Sequence, residues 1–391
     1  MSTISTAVEA RRRRVVLLGA TGSIGVQCCD VISRFPALFE LVGVAAGSDV
    51  AGLSSVVQRF GVRRSALVSP PPGEVLPPGM GSGVEAVCEL AAMECEVVCV
   101  AIPGAAALLP TLAALDAGRT IATATKEVLV MAGEMVKARA AATGARILPV
   151  DSEHSALWQC LRGERADSVS RLVLTASGGP FRERDPATFA TVTVEEALRH
   201  PTWTMGPKVT IDSATMMNKG LEIIEAHFLF DVAYAQIGAV IHPRSIVHSF
   251  VEFIDGAVVA QLGVPDMRVP IALAIADGRR LPGIAAPARL TDGAALEFFE
   301  VDAARFPAVG LARSAGERGG IVPAVLNAAN EVAVAAFLER RIGYDAIVSL
   351  VGDAVGAVAN VTDPSLGDVL DADAWARRFT SERIGGAVTS A

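Results

Sequence analysis

The segment LPVDSEHSALWQCL, residues 148–161, places four polar residues between two apolar runs. Asp151, Ser152, Glu153 and His154 follow one another without a break. Polar groups at this density are costly to bury unless a partner neutralises them. The two carboxylates therefore indicate either a cation opposite them or the start of a helix, where acidic side chains are favoured.

A third carboxylate, Glu222, lies in TIDSATMMNKGLEIIE, residues 210–225, whose apolar spacing is that of a helix. Three converging carboxylates repel one another unless a cation lies between them. No sulfur accompanies Asp151, Glu153 and Glu222, so oxygen-preferring Mg²⁺ or Mn²⁺ is favoured over zinc. The alternative for Glu222 is a place on the helix surface.

Nearby residues suit a phosphate group. TASGGPF, residues 175–181, offers Ser177 and two glycine amides after a predicted strand. Ser213, Asn218 and Lys219 could hold a phosphate by charge and hydrogen bonds.

A further segment, RHPTWTMGPK, residues 199–208, contains two prolines, a glycine and Trp203. This composition is typical of a mobile lid, and we call these residues the lid segment.

The N-terminal third predicts a nucleotide-binding sheet. RVVLLGATGSIGVQCCDVI, residues 14–32, has the pattern strand, glycine turn and helix, with Gly19, Gly22 and Gly25 in the turn. Such glycines let the backbone approach a pyrophosphate at a helix N-terminus. The alternative is that they merely tighten the turn.

Apolar runs that recur between helices predict a parallel sheet with right-handed crossovers. The predicted strands after the first are 39–47, 65–69, 95–102, 119–125 and 145–150. Lys126 follows one of them, where it could reach a phosphate or a substrate oxygen, or could instead be a solvated lysine at a helix start.

Composition narrows the class of protein. The chain has 391 residues, of which 51% are hydrophobic and 19% charged, which argues against disorder. A net charge of −8 argues against a nucleic-acid partner. The uncharged run at residues 97–115 is interrupted by Pro103, Gly104 and Pro110, which favours a strand and a helix over a membrane span. Six cysteines without a Cys-x-x-Cys pair predict reduced thiols in a cytoplasmic protein.

Several long motifs occur in a fixed order along the chain. They are GATGSIG, the KE that follows ATAT, PVDSEHSA, TASGGPF, HPTWTMG, DSATMMNKGLEIIEA, HPRSIVHSFVEF and LNAANEVAVAAFL. Together they resemble the 1-deoxy-D-xylulose 5-phosphate reductoisomerase family, from about residue 14 to about residue 370.

The resemblance implies a homodimeric enzyme that uses NADPH and Mg²⁺ or Mn²⁺. Its substrate would be a small phosphorylated sugar, 1-deoxy-D-xylulose 5-phosphate. The enzyme would rearrange this substrate and reduce the product to 2-C-methyl-D-erythritol 4-phosphate, in non-mevalonate isoprenoid synthesis.

The predicted fold class is α/β, with a doubly wound, Rossmann-like parallel sheet first, an α/β catalytic domain next and an α-helical bundle last. The predicted domains are an NADPH-binding domain at 1–150, a catalytic domain at 151–280, a connector at 281–310 and a helical domain at 311–391.

The resemblance also implies roles for individual residues. The metal ligands would be Asp151, Glu153 and Glu222, and His200 and Lys126 would join them in catalysis. Substrate contacts would come from Lys126, Ser152, Glu153, Ser177, His200, Trp203, Ser213, Asn218, Lys219 and Glu222. Cofactor contacts would come from Thr21, Gly22, Ser23, Ile24, Gly47, Thr125, Glu127 and Gly206.

Two positions depart from the family pattern. Thr125 stands where the family often has Asn, and Ser48-Asp49 follow Gly47 where it often has Lys-Asn. The carboxylate of Asp49 could weaken the grip on the cofactor's 2′-phosphate, or it could cap the helix that begins near Val50.

Two other classes of protein share the glycine turn. A metal-independent dehydrogenase of the homoserine or semialdehyde type would not need three converging carboxylates. A nucleotide-binding redox sensor would bind the cofactor without turnover, and it would leave the lid segment and the phosphate site unexplained.

Overall fold

The structure, a computed structural model, describes residues 11–203, 205–292 and 295–388. The chain divides into two compact units. Unit 1 comprises Met1–Thr125, Arg139–Val150 and Met267–Ile284, and unit 2 comprises Lys126–Ala138, Asp151–Asp266 and Ala285–Ala391.

The strands of the described residues are, in chain order, β1 (Arg13–Leu18), β2 (Phe39–Ala46), β3 (Arg64–Leu67), β4 (Met80–Ser82), β5 (Val97–Val100), β6 (Thr120–Thr123), β7 (Ile147–Pro149), β8 (Val169–Ala176), β9 (Ile237–Ile241), β10 (Val247–Phe253), β11 (Val258–Leu262) and β12 (Phe299–Glu300).

The α-helices of the same residues are α1 (Ser23–Arg34), α2 (Val50–Phe60), α3 (Gly83–Ala92), α4 (Leu108–Asp116), α5 (Glu127–Thr143), α6 (Ser152–Cys160), α7 (Val194–Ala197), α8 (Pro207–Thr215), α9 (Met217–Phe230), α10 (Arg268–Ile275), α11 (Pro307–Arg318), α12 (Val322–Leu338), α13 (Ala346–Ala357) and α14 (Leu366–Val388). Short 3₁₀ turns occupy Gly104–Ala107, Ala166–Ser168, Pro186–Thr191, Tyr234–Gln236 and Leu290–Asp292.

Unit 1 is built on a seven-stranded parallel sheet of order β4-β3-β2-β1-β5-β6-β7. Its central strands are uninterrupted apolar runs because helices cover both faces of such a sheet, and every residue of β5 is buried. The strand order reverses between β1 and β5, which makes a topological switch point, where ligands bind in sheets of this kind. The doubly wound sheet is confirmed. The three-residue strand β4 was not predicted.

Glycine is required at two places beside this switch point. Gly19 has a φ of +96°, and a Cβ there would lie 2.3 Å from the carbonyl oxygen of Ala101. A Cβ on Gly25 would lie 2.1 Å from the carbonyl oxygen of Gly19. The turn from β1 into α1 therefore closes tightly only with these two glycines.

Helix α10 returns the chain to unit 1. It contacts α1, β6 and β7, and Ile271–Ile275 are buried. Arg268 adds an ion pair of 3.2 Å with Asp30 of α1. The residues of this helix fall within the predicted catalytic domain, 151–280. The outlines of the two units thus differ from the four predicted domains, whose boundaries remain a prediction.

Unit 2 contains a mixed five-stranded sheet of order β11-β10-β8-β9-β12, in which β8 and β9 are parallel and the other pairs are antiparallel. Apolar residues of α6, α9 and the sheet form one core. A second core joins α8 and α9 to the C-terminal helices α11–α14. The predicted α/β catalytic region and C-terminal helical region are confirmed.

Candidate active site

Three elements of unit 2 bring acidic and basic side chains together. Asp151 is the N-cap of α6 and accepts a hydrogen bond of 3.0 Å from the Ser152 N–H. Glu153 lies in the first turn of the same helix, where carboxylates are stabilised by the helix dipole. Glu222 projects from α9, and Lys126 directly precedes α5. The helix-start alternative and the carboxylate cluster are thus both correct for Asp151.

The carboxylates of Asp151, Glu153 and Glu222 each offer an oxygen within 4.8 Å of the others. Glu222 has no exposed surface, so the surface alternative for it is wrong. Three hard oxygen ligands with no sulfur among them fit Mg²⁺ or Mn²⁺. The residues present therefore fit the predicted cation.

Two lysines contact the same carboxylates. Lys126 Nζ lies 2.5 Å from Asp151 Oδ2 and 3.2 Å from Glu222 Oε1. Lys219 Nζ lies 2.8 Å from Glu153 Oε1 and also contacts Glu222. Three carboxylates and two ammonium groups give a formal charge of −1 when all are ionised. The cluster can hold a cation, and its lysines can be redirected to an anionic ligand.

Burial and the neighbouring charges shift the pKa values of Glu222, Glu153 and Lys126. Burial and the charge of Glu153 raise the pKa of Glu222 to about 7, against the attraction of the two lysines. Burial also opposes ionisation of Glu153, but Lys219 outweighs it and lowers the pKa of Glu153 to about 2. For Lys126, burial is outweighed by Asp151 and Glu222, which raise its pKa well above the ordinary value. Such opposed shifts are typical of functional sites.

A second group that could hold a metal ion, Asp151, His154 and Glu225, adjoins the first. His154 Nε2 donates to the main-chain oxygen of Glu222 over 2.9 Å, and His154 Nδ1 lies 3.3 Å from Glu225 Oε2. Both side chains are fully buried. This pair ties α6 to α9 behind the carboxylates. The sequence analysis missed Glu225, although its position three residues after Glu222 on one helix could have revealed it.

The predicted phosphate ligands fall into two separate groups in the structure. His200 Nε2 lies 3.0 Å from Ser177 Oγ and 3.1 Å from Ser213 Oγ, so these three residues form one group. Asn218 and Lys219 are instead bonded within the carboxylate cluster: Asn218 donates to Glu222 and accepts from Lys126 over 2.8 Å. The hydroxyl of Ser152, a further predicted contact, donates to Glu153 over 2.5 Å.

The imidazole of His200 has a defined tautomer. Its Nδ1 accepts backbone N–H bonds from Thr202 at 3.1 Å and Trp203 at 2.8 Å. Because Nδ1 is an acceptor, the proton of the neutral ring is on Nε2, which faces Ser177 and Ser213. Burial lowers the pKa of His200 to about 4.

The C-terminal end of the lid segment is the start of helix α8. Gly206 is the N-cap of α8 and Pro207 its first residue, a favoured position for proline. Trp203 is half-buried, with its ring centroid 6.3 Å from that of His248.

The predicted cofactor residues of unit 1 lie at the carboxyl ends of strands. Thr21 and Gly22 follow β1, Ser23 and Ile24 open α1, and Gly47 follows β2. Thr125 is buried, and its hydroxyl donates to the main-chain oxygen of Ile102 over 2.7 Å.

The remaining predicted cofactor residues, Glu127 and Gly206, are in unit 2. The Glu127 carboxylate pairs with Lys208 at 3.0 Å, and this pairing lowers its pKa against the effect of burial.

Asp49 has the capping role that was one of the two alternatives. It is the N-cap of α2, and its Oδ1 accepts the Gly52 N–H over 2.8 Å.

Within the described residues, no helix is both long enough and apolar enough to cross a membrane.

Comparisons with known proteins identify the relatives of this chain. Residues 15–133 match the family model for 1-deoxy-D-xylulose 5-phosphate reductoisomerase. Residues 147–230 and 262–379 match two models for C-terminal domains of the same enzyme.

Curated proteins of that name are similar over nearly the whole chain. The protein from Chlorobium chlorochromatii is 47% identical over 93% of this chain and 98% of its own length. The protein from an Exiguobacterium species is 48% identical over 96% and 99%.

Two solved structures are also similar. The reductoisomerase from Zymomonas mobilis in complex with NADPH has a TM-score of 0.88 and 39% identity, covering 96% of this chain and 99% of its own. A reductoisomerase in complex with NADPH, fosmidomycin and magnesium has a TM-score of 0.90 and 37% identity, covering 95% and 98%.

Proposed function

The chain belongs to the 1-deoxy-D-xylulose 5-phosphate reductoisomerase family, and we propose that its reaction takes place at the carboxylate cluster of unit 2. It is an NADPH- and divalent-metal-dependent oxidoreductase that converts 1-deoxy-D-xylulose 5-phosphate to 2-C-methyl-D-erythritol 4-phosphate. The observation that carries the assignment of the site is the convergence of Asp151, Glu153 and Glu222 within 4.8 Å.

The metal ligands in this proposal are Asp151, Glu153 and Glu222. A divalent cation bound to them supplies Lewis-acid polarisation of the substrate's carbonyl oxygen. Lys126 is the residue best placed to contact the substrate beside that oxygen, because its ammonium is held among the carboxylates at 2.5 and 3.2 Å. Its raised pKa keeps it charged, so it attracts negative charge that develops on substrate oxygens.

The phosphate end of the substrate is assigned to Ser177, His200 and Ser213. Two hydroxyls and one imidazole N–H converge there. The Gly178 amide follows Ser177, whereas the Gly179 N–H donates to Ser177 Oγ over 3.1 Å. Asn218 and Lys219 link this role to the cluster, since both can exchange their carboxylate partners for a phosphate oxygen. Trp203 covers the bound substrate and excludes water.

NADPH supplies the hydride for the reduction. We assign its binding to Thr21, Gly22, Ser23, Ile24, Gly47, Thr125, Glu127 and Gly206. The α1 N-terminus supports this assignment, because its free N–H groups follow two glycines that let the backbone approach a pyrophosphate.

A homodimer is also part of the proposal, as the resemblance implies. Large apolar side chains lie exposed on the outer strands of the mixed sheet and the turn beside them: Ile254 at 72%, Val258 at 57% and Phe299 at 53%. Edge strands with exposed apolar side chains favour pairing with another chain. A second copy of this chain is the proposed occupant. Sedimentation analysis tests this proposal: the wild type should sediment as a dimer, and Val258→Glu should weaken the dimer. A monomeric wild type contradicts the proposal.

The proposed location is the cytoplasm. All six cysteines, each in the described part of the chain, are free thiols, as expected in a reducing compartment.

The experiment that tests the proposed site follows NADPH oxidation with 1-deoxy-D-xylulose 5-phosphate, with Mn²⁺ present or removed by a chelator. Oxidation should require both the substrate and the metal, and Asp151→Asn should abolish it while leaving NADPH affinity close to that of the wild type. An Asp151→Asn variant with full metal-dependent turnover would contradict the assignment.

A further inference from the structure

Asp212 lies on α8, the helix at the end of the lid segment, and connects α8 to the C-terminal helix α12. Its side chain is 1% exposed. One carboxylate oxygen, Oδ2, lies 2.8 Å from Lys208 Nζ, and the other, Oδ1, accepts a hydrogen bond of 2.8 Å from Asn330 Nδ2 of α12. Lys208 Nζ also lies 3.0 Å from Glu127 Oε1. A buried carboxylate is thus fully partnered by groups from two helices.

Asn330 is a costly residue at its position. It is fully buried in α12, where its neighbours in the core are mostly Ala, Val and Leu. Asparagine is a poorer helix former than these alanines and leucines, and burying an amide costs free energy unless it is hydrogen-bonded. Within the described residues its amide oxygen has no hydrogen-bond partner, so the bond to Asp212 is what offsets the cost.

The residue after Asp212 is Ser213, whose hydroxyl faces His200. The connection between α12 and α13 holds the same turn of α8 at a second point, because Tyr344 donates its hydroxyl to the main-chain oxygen of Ala214 over 2.7 Å. Burial alone would lower the pKa of Lys208, but the charges of Asp212 and Glu127 outweigh it and raise the pKa, so Lys208 stays charged.

We propose that Asn330 is a positioning residue for the phosphate end of the substrate. Through its bond to Asp212 it fixes the turn of α8 that presents the Ser213 hydroxyl. This inference rests on the proposed function, since it uses the phosphate group assigned there. It gives the LNAANEVAVAAFL motif, which contributes no residue to the site itself, a part in substrate binding.

Asn330→Ala tests the inference against a matched control, Asn327→Ala. Asn327 is the same residue type on the same helix and equally buried, but its amide donates to Glu331 of its own helix over 3.0 Å. Asn330→Ala should raise KM for 1-deoxy-D-xylulose 5-phosphate about tenfold, the effect of losing a hydrogen bond to a charged group. Its kcat and its KM for NADPH should change less than about twofold. Asn327→Ala should lower stability but leave all three constants close to those of the wild type.

An exchange of the two side chains separates positioning from simple loss of stability. Asn330→Asp alone places two carboxylates together and should raise KM further. Combining it with Asp212→Asn restores a carboxylate–amide hydrogen bond and should return KM towards the wild-type value. If the double variant is no better than Asn330→Asp, or if the two alanine variants raise KM equally, the inference is overturned.

The variant Ser213→Ala distinguishes failure of the inference about Asn330 from failure of the proposed function. If Ser213→Ala leaves KM for the substrate unchanged, the phosphate assignment itself is wrong. If Ser213→Ala raises KM while Asn330→Ala does not, the phosphate assignment stands and the inference about Asn330 falls.

Discussion

The backbone N–H of Trp203 donates to Nδ1 of His200 over 2.8 Å. This bond makes one imidazole serve two purposes, because the opposite nitrogen must then carry the proton that faces Ser177 and Ser213. The conformation of Thr202 and Trp203 and the donor at the proposed phosphate site are therefore set by the same ring.

Replacing His200 by glutamine or by asparagine separates its role at the proposed phosphate site from its role as an acceptor for the lid segment. In His200→Gln the side-chain amide can occupy the position of Nε2, so we expect phosphate binding to persist while the lid segment loses its acceptor. In His200→Asn the side-chain oxygen can occupy the position of Nδ1, so we expect the opposite. Affinity for inorganic phosphate and hydrogen exchange of the Thr202 and Trp203 amides measure the two effects. Identical behaviour of both variants would contradict the two-purpose assignment.

The depressed pKa of His200 predicts a pH dependence of stability. Its ordinary pKa is about 6.5, and burial lowers the pKa to about 4 in the folded protein. Between these values the unfolded state binds the proton more readily, so this residue makes stability rise as pH increases from about 4 to about 6.5. Urea unfolding across that window should show a shallower rise for His200→Asn than for the wild type. Equal slopes would show that the histidine has an ordinary pKa when folded.

Glu222→Gln should abolish metal-dependent turnover and leave NADPH affinity nearly intact. Removing one of three anionic ligands should weaken Mn²⁺ binding by roughly 100-fold or more, beyond the effect of changing a residue that only supports a ligand. Calorimetric titration with Mn²⁺ measures this.

The control is Glu225→Gln, one turn away on α9 and also fully buried, whose carboxylate faces His154. We expect it to keep most of its Mn²⁺ affinity. If Glu225→Gln loses the metal and Glu222→Gln does not, the ion binds at the group of Asp151, His154 and Glu225 instead.

Asp49 should reduce the preference for NADPH over NADH without reversing it. The carboxylate is held by the Gly52 N–H as a helix cap, so it remains near the carboxyl end of β2, where the adenosine ribose binds in such folds. An exposed charge there is worth only about 1 kcal/mol. Asn can also cap a helix, so Asp49→Asn removes the charge and keeps the cap.

The ratio of kcat/KM for the two cofactors should rise a few-fold in Asp49→Asn. Asp49→Ala, which loses the cap as well, should be less stable by about 1 kcal/mol. An unchanged ratio would mean that Asp49 serves as a cap alone, and a wild type that favours NADH would contradict the prediction.

Trp203 should become protected when ligand binds. Adding 1-deoxy-D-xylulose 5-phosphate with Mn²⁺ should slow hydrogen exchange across residues 199–208, and quench or shift the fluorescence of Trp203. Trp158, on helix α6, provides the comparison: a Trp158→Phe variant should retain the fluorescence change and a Trp203→Phe variant should lose it. No change of exchange in the segment would show that it does not close.

Sequence patterns predicted the parts of this molecule that depend on local chemistry. Six of the seven strands of the parallel sheet follow from apolar runs between turns, because such strands are buried on both faces. The β4 strand, Met80–Ser82, is too short and too poor in β-branched residues to be recognised. A cation shared by Asp151, Glu153 and Glu222 was one of the alternatives that these residue types allowed before any family was considered; the other was two helix-start carboxylates and a surface glutamate.

Contacts between distant segments were not predictable from spacing. The lysines illustrate this: Lys219 was expected at a phosphate, but it is bonded to Glu153 and Glu222 because both carboxylates reach its helix position. Likewise, the bond of Asn330 to Asp212, 118 positions earlier, depends on how α12 packs against α8. No local pattern encodes such a pairing.

The chain passes between the two units five times, after Thr125, Ala138, Val150, Asp266 and Ile284. Neither unit is therefore a continuous stretch of gene. A protein truncated after residue 150 would contain Lys126 but not the carboxylates that it contacts. Its parallel sheet would also lack α10. Recombination that exchanged one nucleotide-binding half for another would have to supply three separate segments at once. This interleaving favours inheritance of the two units together. Two fragments divided at residue 150 and expressed from separate plasmids should therefore not assemble into an active enzyme.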